Sequence, residues 1–354
     1  SSNSKTSYNG NYGLNASWTL YNGNKRLKTI QQEKLNNQVA ELDVATSENN
    51  IQESIAQVYI QILYAAESVK VNESTLQVSI AQRDRGQELL NAGSIAKSDF
   101  AQLEAQVSTD RSQLVTAQAT LEDYKLQLKQ LLELDGENEM NIYLPALSDE
   151  NVLAPLPTKK DVYISALSLR PEIEASKLNV EASELGIGIA KSSYLPTISL
   201  SAGIGTNHTS GSDFTFGEQV KNGWNNSIGL SVSVPIFNNR QTKSAVQKAK
   251  LQYETSMLSL LDEQKTLYKT IEGLWLDANS AQQRYAAANE KLKSTQISYE
   301  LISEQFNLGM KNTIELLTEK NNLLQAQQEQ LQAKYMAILN TQLLKFYQGD
   351  QLAL

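Results

Sequence analysis

The sequence contains no cysteine, and charged side chains make up only 20% of its 354 residues. Without cysteine there is no disulfide framework and no thiolate metal site. The net charge is -8, which argues against nucleic-acid binding because a nucleic-acid interface needs a basic face. Since no run of about 18 apolar residues occurs, the sequence predicts no transmembrane helix.

Residues that could perform catalysis or hold a cofactor are also scarce. His208 is the only histidine, and it lies in a segment rich in Ser, Gly and Thr. The sequence shows no nucleophile–base pair, no phosphate-binding loop and no cluster with metal-ligand spacing. We therefore predict that the protein is not an enzyme and that it uses no cofactor and no metal.

Proline is confined to the middle of the chain, because all six prolines lie between residues 145 and 235. Proline breaks helix interiors, so the flanking segments can form very long helices. Residues 25–90 and 241–308 are rich in Gln, Glu, Lys, Leu and Ala. In the second segment apolar residues recur at steps of three and four, which indicates an amphipathic helix. Each segment predicts a helix of about 66 residues, roughly 100 Å long.

Three short segments alternate between apolar and small polar residues, with apolar positions that run from Tyr12 to Leu20, from Ile198 to Ile204 and from Ile228 to Ile236. Each matches the length and period of a membrane barrel strand. The same pattern is typical of half-buried strands in a soluble sheet. In the membrane interpretation the lipid-facing residues are Leu14, Trp18, Leu20, Ile198, Leu200, Ile228, Leu230, Val232 and Val234.

An internal repeat relates the two halves of the chain. The segment that begins at Tyr12 reads YGLNASWTLYNGNKRLKTIQQEKL, and the segment that begins at Ile228 reads IGLSVSVPIFNNRQTKSAVQKAKL. The offset is 228 − 12 = 216, and Gly93 and Gly309 are separated by the same 216 positions. An ungapped register over roughly 90 residues predicts a duplicated strand–helix–turn–helix unit.

The offset also bears on residues 170–205, whose twin would lie 216 positions earlier and therefore before residue 1. We expect from this that the chain is N-terminally truncated and lacks one helix and one strand of the first hairpin.

The segment RPEIEASKLNVEASELGIGIAKSSYLPTISLSAGIG and the paired turns AGSIAKSDF and LGMKNTIELL resemble the TolC family of outer-membrane efflux proteins. The resemblance implies a mainly α fold with a β-barrel portion. Long helical hairpins would form a periplasmic α-barrel, and strands would contribute to a trimeric twelve-stranded outer-membrane β-barrel. It further implies a passive exit duct of a tripartite efflux or type I secretion system, located in the outer membrane and extending into the periplasm. The implied partners are two further copies of the chain, a periplasmic adaptor (membrane fusion protein), an inner-membrane pump and outer-membrane lipid.

On this basis we divide the chain into seven segments. They are an outer-membrane strand at 11–21, a first long helical hairpin at 22–134 with its turn at 91–98, an equatorial mixed region at 135–170, a helix completing the α-barrel at 171–195, a β-hairpin at 196–237 with an extracellular loop at 206–227, a second long helical hairpin at 238–347 with its turn at 307–313, and a C-terminal tail at 348–354.

The two hairpin turns carry the candidate site. Gly93 and Gly309 can adopt the left-handed conformation that ends a helix. Asp99 and Glu315 then fall in the first turn of each returning helix, where acids stabilise the helix dipole. Asn312 has capping-box spacing to Glu315, so helix capping alone could account for that acid.

By the resemblance, these acids also line a periplasmic gate that selects cations. Lys311 is then the expected ion-pair partner of Asp99. The chain departs from the family pattern where a second acid falls on Thr318 and a tyrosine falls on Phe306. The turns are also the expected adaptor-docking surface, formed by Gly93, Ser94, Ile95, Ala96, Gly309 and Met310, although they could simply be short helix connections.

Two other functions stay open at this point. A soluble structural coiled-coil or interaction protein without channel activity would also have long helices, but it would have heptad seams and no lipid-facing strands. A periplasmic adaptor also has helical hairpins. Adaptors, however, carry lipoyl-like and small β-barrel domains rich in Gly and Val, and the sequence shows none.

Overall fold

The computed structural model describes residues 7–134, 142–145 and 152–352. Long helices dominate the described chain, and three strands are distributed between them. In chain order the elements are β1 (Asn9–Asn22), α1 (Lys25–Asn91), α2 (Lys97–Leu131), α3 (Lys159–Leu169), α4 (Pro171–Lys191), a 3-10 turn (Ser192–Tyr194), β2 (Thr197–Thr209), α5 (Phe216–Asn222), β3 (Asn225–Ser233), α6 (Gln241–Asn307) and α7 (Thr313–Gln348).

The chain divides into two compact units. One comprises residues 1–43 and 172–263, and it contains the strands, α4 and α5. The other comprises residues 44–171 and 264–354, and it contains α2, α3, α7 and both hairpin turns. The long helices α1 and α6 contribute residues to both units. In the part of the chain that the structure describes, no helix is long and apolar enough to cross a membrane.

The strands form one antiparallel sheet in the order β1-β2-β3. Side chains on neighbouring strands share a face when their residues are paired. Trp18 pairs with Leu200, which pairs in turn with Leu230, so these apolar positions of the three strands lie on one face. The opposite face carries the small polar positions, such as the row formed by Ser17, Ser201 and Gly229. The register therefore follows the alternation in the sequence except near the end of β1. There it shifts between Thr19 and Tyr21, so Leu20 has no partner in β2 and Tyr21 pairs with Ile198.

The duplication extends beyond the predicted segment. Helices α1 and α6 each contain 67 residues. They begin at residues 25 and 241 and end at 91 and 307, so both ends are 216 apart. The first residues of α2 and α7 give 313 − 97 = 216 as well. The left-handed residues that follow α2 and α7, Glu133 and Gly349, preserve the same offset. The repeat thus covers both complete hairpins.

The strand-to-helix turns are duplicated in conformation but not in sequence. Gly23 and Asn24 both have positive φ angles, of 66° and 63°, and their twins Asn239 and Arg240 have φ angles of 54° and 65°. Positive φ is uncommon for residues other than glycine. At Gly23 a Cβ atom would lie 2.8 Å from the Ser192 backbone oxygen, so the first turn also has no room for a side chain.

Small clusters of buried side chains hold the helices of the second unit together. Ile60 and Leu63 of α1 pack against α7, and the indole Nε1 of Trp275 on α6 donates to the Pro157 backbone oxygen at 3.0 Å. Gln282 of α6 donates to two backbone oxygens in the segment before α3. Those bonds attach residues 152–158 to α6, and α3 packs against α7.

In the first unit α4 lies beside α1 and α6. Gln32 Nε2 of α1 donates to the Ala182 backbone oxygen at 2.7 Å, and the hydroxyls of Ser183 and Ser256 are 2.8 Å apart. The helix expected at 171–195 ends at Lys191, because a 3-10 turn precedes the Leu195–Pro196 bond. Residues before proline are restricted to extended conformations, which accounts for the earlier end.

The predicted extracellular loop at 206–227 is partly regular structure. Strand β2 continues to Thr209, and the short helix α5 occupies Phe216–Asn222. Thr215 and Glu218 form a reciprocal capping box at the start of α5. This T-x-x-E spacing is a helix-start signal in the sequence itself. Of the predicted equatorial region at 135–170, residues 135–141 and 146–151 lie outside the described residues.

Candidate functional site

Both hairpin turns are closed by the same backbone motif. The N–H of Gly93 donates to the Leu90 oxygen and the N–H of Ser94 donates to the Leu89 oxygen, at 2.9 and 2.8 Å. Gly309 and Met310 make the equivalent bonds, also at 2.9 and 2.8 Å. This is the Schellman pattern, in which a left-handed residue follows the helix end. The glycines have φ angles of 70° and 72°, as the sequence predicts for these positions.

The two acids cap their helices unequally. Asn312 Oδ1 accepts from the Glu315 N–H at 2.9 Å, and a Glu315 carboxylate oxygen accepts from the Asn312 N–H at 3.2 Å. In the first turn the Asp99 carboxylate accepts from the Ala96 N–H at 3.3 Å. Alanine has no side-chain acceptor, so only half of the capping box is formed there. Helix capping is therefore part of the role of both acids.

The expected ion pair between Lys311 and Asp99 is not among the ion pairs of the described residues. Instead, the Lys311 ammonium lies 2.6 Å from the Glu315 carboxylate, four residues along the same turn and helix. Lys311 directly precedes the N-cap residue Asn312, and Glu315 lies in the first turn of α7, so the short sequence separation favours this local pair. The hydrogen bond from Lys311, together with the backbone N–H of Asn312, lowers the pKa of Glu315.

The two remaining predicted gate positions have different surroundings. Thr318 is exposed, and its hydroxyl donates to the Ile314 backbone oxygen at 2.8 Å. Phe306 is only 2% exposed, and it packs with Leu103 and Leu316 in a small core. Thr318 therefore lies at the surface with the acids, whereas Phe306 joins α2, α6 and α7 beneath the turns.

The two turns belong to hairpins that contact each other. Near the end of α1, Arg85 donates to the Asn307 backbone oxygen at 3.5 Å, and Gln106 of α2 donates to Asn321 of α7 at the same distance. The turn residues themselves are largely open to solvent. A Cβ atom at either turn glycine would have no neighbour within 4 Å. Gly93, Ser94, Ala96, Gly309 and Met310 are exposed, and Ile95 is half-buried.

The apolar face of the sheet is exposed in this chain. Ile228 of β3 is 84% exposed, and Leu14, Trp18, Leu20, Leu230, Val232 and Val234 are also exposed. Ile198 and Leu200 are half-buried because β2 is the central strand and has a neighbour on each side. Val234 lies one residue beyond the end of β3. Within the described residues, β1 and β3 each pair only with β2, so the sheet has two open edges.

One pair of residues was not predicted from the sequence. Asp110 of α2 and Lys320 of α7 form an ion pair whose side chains are only 1% and 3% exposed. The two residues are 210 positions apart, and neither has a local motif. Sequence spacing offers no signal for such a pair, because it arises only when the two hairpins pack together.

Comparison with known proteins gives a family match. The family described as "Outer membrane efflux protein" matches residues 1–133 and 162–349. The outer membrane efflux protein BepC of Brucella suis biovar 1 (strain 1330) is 24% identical over 294 residues, which cover 82% of this chain and 61% of BepC. The outer membrane protein TolC of Escherichia coli (strain K12) is 23% identical over 311 residues, covering 85% of this chain and 62% of TolC. The chain thus spans less than two thirds of either relative.

A solved structure of CusC, described in connection with folding and transmembrane channel formation, superimposes with a TM-score of 0.83. The sequence identity is 20%, and the match covers 99% of this chain and 80% of the CusC chain. This likeness shows the fold, and it confirms the prediction of a mainly α chain with long helical hairpins and a strand portion.

Proposed function

The chain belongs to the outer membrane efflux protein family, and on that premise we propose that it forms a passive exit channel of a tripartite efflux or type I secretion system. Membership confirms the resemblance that the sequence predicts, and this family is not one of enzymes. In the proposal the channel is a homotrimer in the outer membrane. It works with a periplasmic adaptor and an inner-membrane pump, which supplies the energy.

The observation that carries the proposal is the exposed apolar face of the three-stranded sheet. Side chains such as Leu14, Trp18 and Ile228 are exposed to solvent in the isolated chain. A large exposed apolar surface is unfavourable in water, so we infer that lipid or protein covers this face. A sheet with open edges leaves backbone groups unsatisfied in lipid, and membrane barrels need about eight strands or more. Further copies of the chain would supply the missing strands, and the number of copies, three, comes from the family.

Tryptophan fluorescence in lipid tests this part of the proposal. Trp18 lies on the apolar strand face, whereas the Trp275 indole is bonded to the Pro157 oxygen on a helix. Two single-tryptophan variants of the full-length protein are made, one retaining Trp18 and one retaining Trp275, with the other tryptophans replaced by phenylalanine. In vesicles containing brominated lipid we expect quenching of Trp18 and none of Trp275. If both tryptophans are quenched equally, or if neither is quenched, the assignment of β1 to the membrane would be contradicted.

We further propose that Asp99 and Glu315 line the periplasmic mouth of the channel and select cations. Three copies of each carboxylate at a constriction attract cations and repel anions. The capping bonds support this role because they hold each carboxylate at the start of its helix. Lys311 neutralises part of the Glu315 charge, so Asp99 would carry the larger share of the selectivity.

The reversal potential in a salt gradient tests the proposed gate. Replacing Asp99 and Glu315 together with alanine is expected to abolish cation selectivity and to raise conductance. Lys311→Met is expected to increase cation selectivity, because it leaves the Glu315 charge unpaired. Asp123→Ala on α2 removes an acid away from the turn and serves as the control. Unchanged selectivity in the Asp99 and Glu315 double variant would reduce both acids to helix caps.

The turns themselves are the proposed docking surface for the adaptor. Gly93, Ser94, Ile95 and Ala96 form one small loop, and Gly309 and Met310 project from the other. The support for this proposal is that all of these residues except the half-buried Ile95 are exposed, and that a Cβ atom at either glycine would have no neighbour within 4 Å. Met310→Asp is expected to abolish export in cells while the conductance of the purified channel stays unchanged. If export persists at the wild-type level, the turns are only helix connections.

A further inference from the structure

The buried ion pair joins the first helical hairpin to the last helix. Asp110 lies on α2 and Lys320 lies on α7. One carboxylate oxygen of Asp110 accepts hydrogen bonds from the Lys320 ammonium and from the Ser79 hydroxyl of α1. The other accepts from Gln106 Nε2 at 2.9 Å. Three helices from two hairpins therefore meet at one carboxylate.

Because both charges are buried, the pair is costly to separate unless water reaches the two side chains. Burial lowers the pKa of Lys320, and the hydrogen bond from Lys320 to Asp110 acts in the opposite direction. A buried charge is costly when its partner is removed, whereas an exposed pair contributes little. The two charges are therefore stable either together inside the helix packing or separately in water. An intermediate separation without water would be unfavourable.

The pair formed by Asp110 and Lys320 lies in the helix packing, at some distance from the hairpin turns. Asp110 is eleven residues beyond Asp99, or about 16 Å along α2 at 1.5 Å per residue. At the turn itself Lys311 is paired within its own hairpin. The ion pair formed by Asp110 and Lys320 joins α2 to α7. This charged link between the two hairpins thus lies below the turns.

We propose that Asp110 and Lys320 form a latch that holds α7 against the first hairpin and must separate when the hairpin tips part to open the channel. This inference rests on the proposed channel function. It adds a gating contact that lies in the helix packing, below the acids of the mouth. Ser79 and Gln106 are positioning residues in this latch, because they orient the carboxylate towards Lys320.

Single-channel recording of the full-length protein tests the latch with a matched control. Lys320→Met removes the buried cation, and Lys291→Met removes the cation of an exposed pair between α6 and α7, whose side chains are 47% and 42% exposed. We expect Lys320→Met to raise the open fraction at least about tenfold, since the closed arrangement would then bury an unpaired carboxylate. Lys291→Met is expected to leave the open fraction unchanged.

A second experiment keeps the test independent of folding defects. Because these 354 residues contain no cysteine, cysteines introduced at 110 and 320 are the only thiols within them. Joining them in the assembled channel with a short, reducible bifunctional thiol reagent is expected to suppress opening, and reduction is expected to restore it. The same protein sample thus provides both states.

The outcomes separate the latch from the channel function. If wild-type protein conducts, but Lys320→Met behaves as Lys291→Met does and cross-linking has no effect, the latch is wrong and the channel stands. If no form of the folded, inserted protein conducts, the proposed function itself fails.

Discussion

The strand-to-helix turn at Gly23 offers a sharp test of the structural reasoning, because the repeat supplies its own control. Gly23 and its twin Asn239 have similar left-handed backbones, with φ angles of 66° and 54°. Only at Gly23 would a new Cβ approach other atoms closely, at 2.8 Å from the Ser192 oxygen and 2.9 Å from the Leu195 Cβ. Gly23→Ala and Asn239→Ala therefore compare the same conformation with and without a clash.

The cost of Gly23→Ala has two parts. A residue other than glycine in the left-handed region costs about 1–2 kcal/mol. Overpacking against backbone that must shift costs typically about 1–3 kcal/mol more. We therefore expect the free energy of unfolding to fall by about 2–5 kcal/mol. At Asn239 a side chain is already accommodated, so Asn239→Ala is expected to cost less than about 1 kcal/mol.

Denaturant unfolding of both variants, followed by circular dichroism, measures this difference. The expected result is a clearly lower midpoint for Gly23→Ala and a near wild-type midpoint for Asn239→Ala. Equal midpoints would refute the argument that close packing against Ser192 and Leu195, and not the φ angle alone, requires glycine at position 23.

Further predictions concern three other sites, Gly273, Arg170 and Glu315. Gly273→Ala in α6 is expected to raise the free energy of unfolding by about 0.5–1 kcal/mol, because alanine favours the helical conformation more than glycine does. The new Cβ atom would have no neighbour within 4 Å. An unchanged or lowered denaturation midpoint would contradict this expectation. Arg170→Met removes a buried guanidinium that lies 3.2 Å from the Glu53 carboxylate. The free energy of unfolding is expected to fall by about 3–5 kcal/mol in the same assay, because the buried pair loses one partner. A decrease below about 1 kcal/mol would refute this prediction. Since the pKa of Glu315 is lowered from 4.5, its ion pair stabilises the fold above that pH, and this contribution is lost as the pH falls through the lowered value. Lys311→Met is expected to return the Glu315 pKa towards 4.5 in a carboxyl NMR titration, and an unshifted titration would exclude Lys311 as the cause.

Much of the fold could be predicted because its signals are local or periodic. Confinement of proline to residues 145–235 indicated the long helices, and strict alternation indicated the three strands. The shared offset of 216 predicted that Gly93 and Gly309 end equivalent helices, and their φ angles agree. Each of these features depends on residues that are close in sequence or related by the duplication.

The features that the sequence did not reveal depend on packing between distant segments. The pair formed by Asp110 and Lys320 exists only because α2 and α7 lie together. Lys311 was expected to pair with Asp99, but in this chain it pairs with Glu315, which is only four residues further on. The left-handed residues Asn239 and Arg240 were also missed, since neither is a glycine. The repeat could have indicated them, as their twins Gly23 and Asn24 are typical turn residues.

We propose that this chain forms a passive channel through the outer membrane, and single-channel conductance of the full-length protein in a planar lipid bilayer tests this directly. We expect stepwise, cation-selective currents without any energy source, with selectivity that depends on Asp99 and Glu315. The absence of current from protein shown to be folded and inserted in the bilayer would contradict it and would favour a structural coiled-coil role.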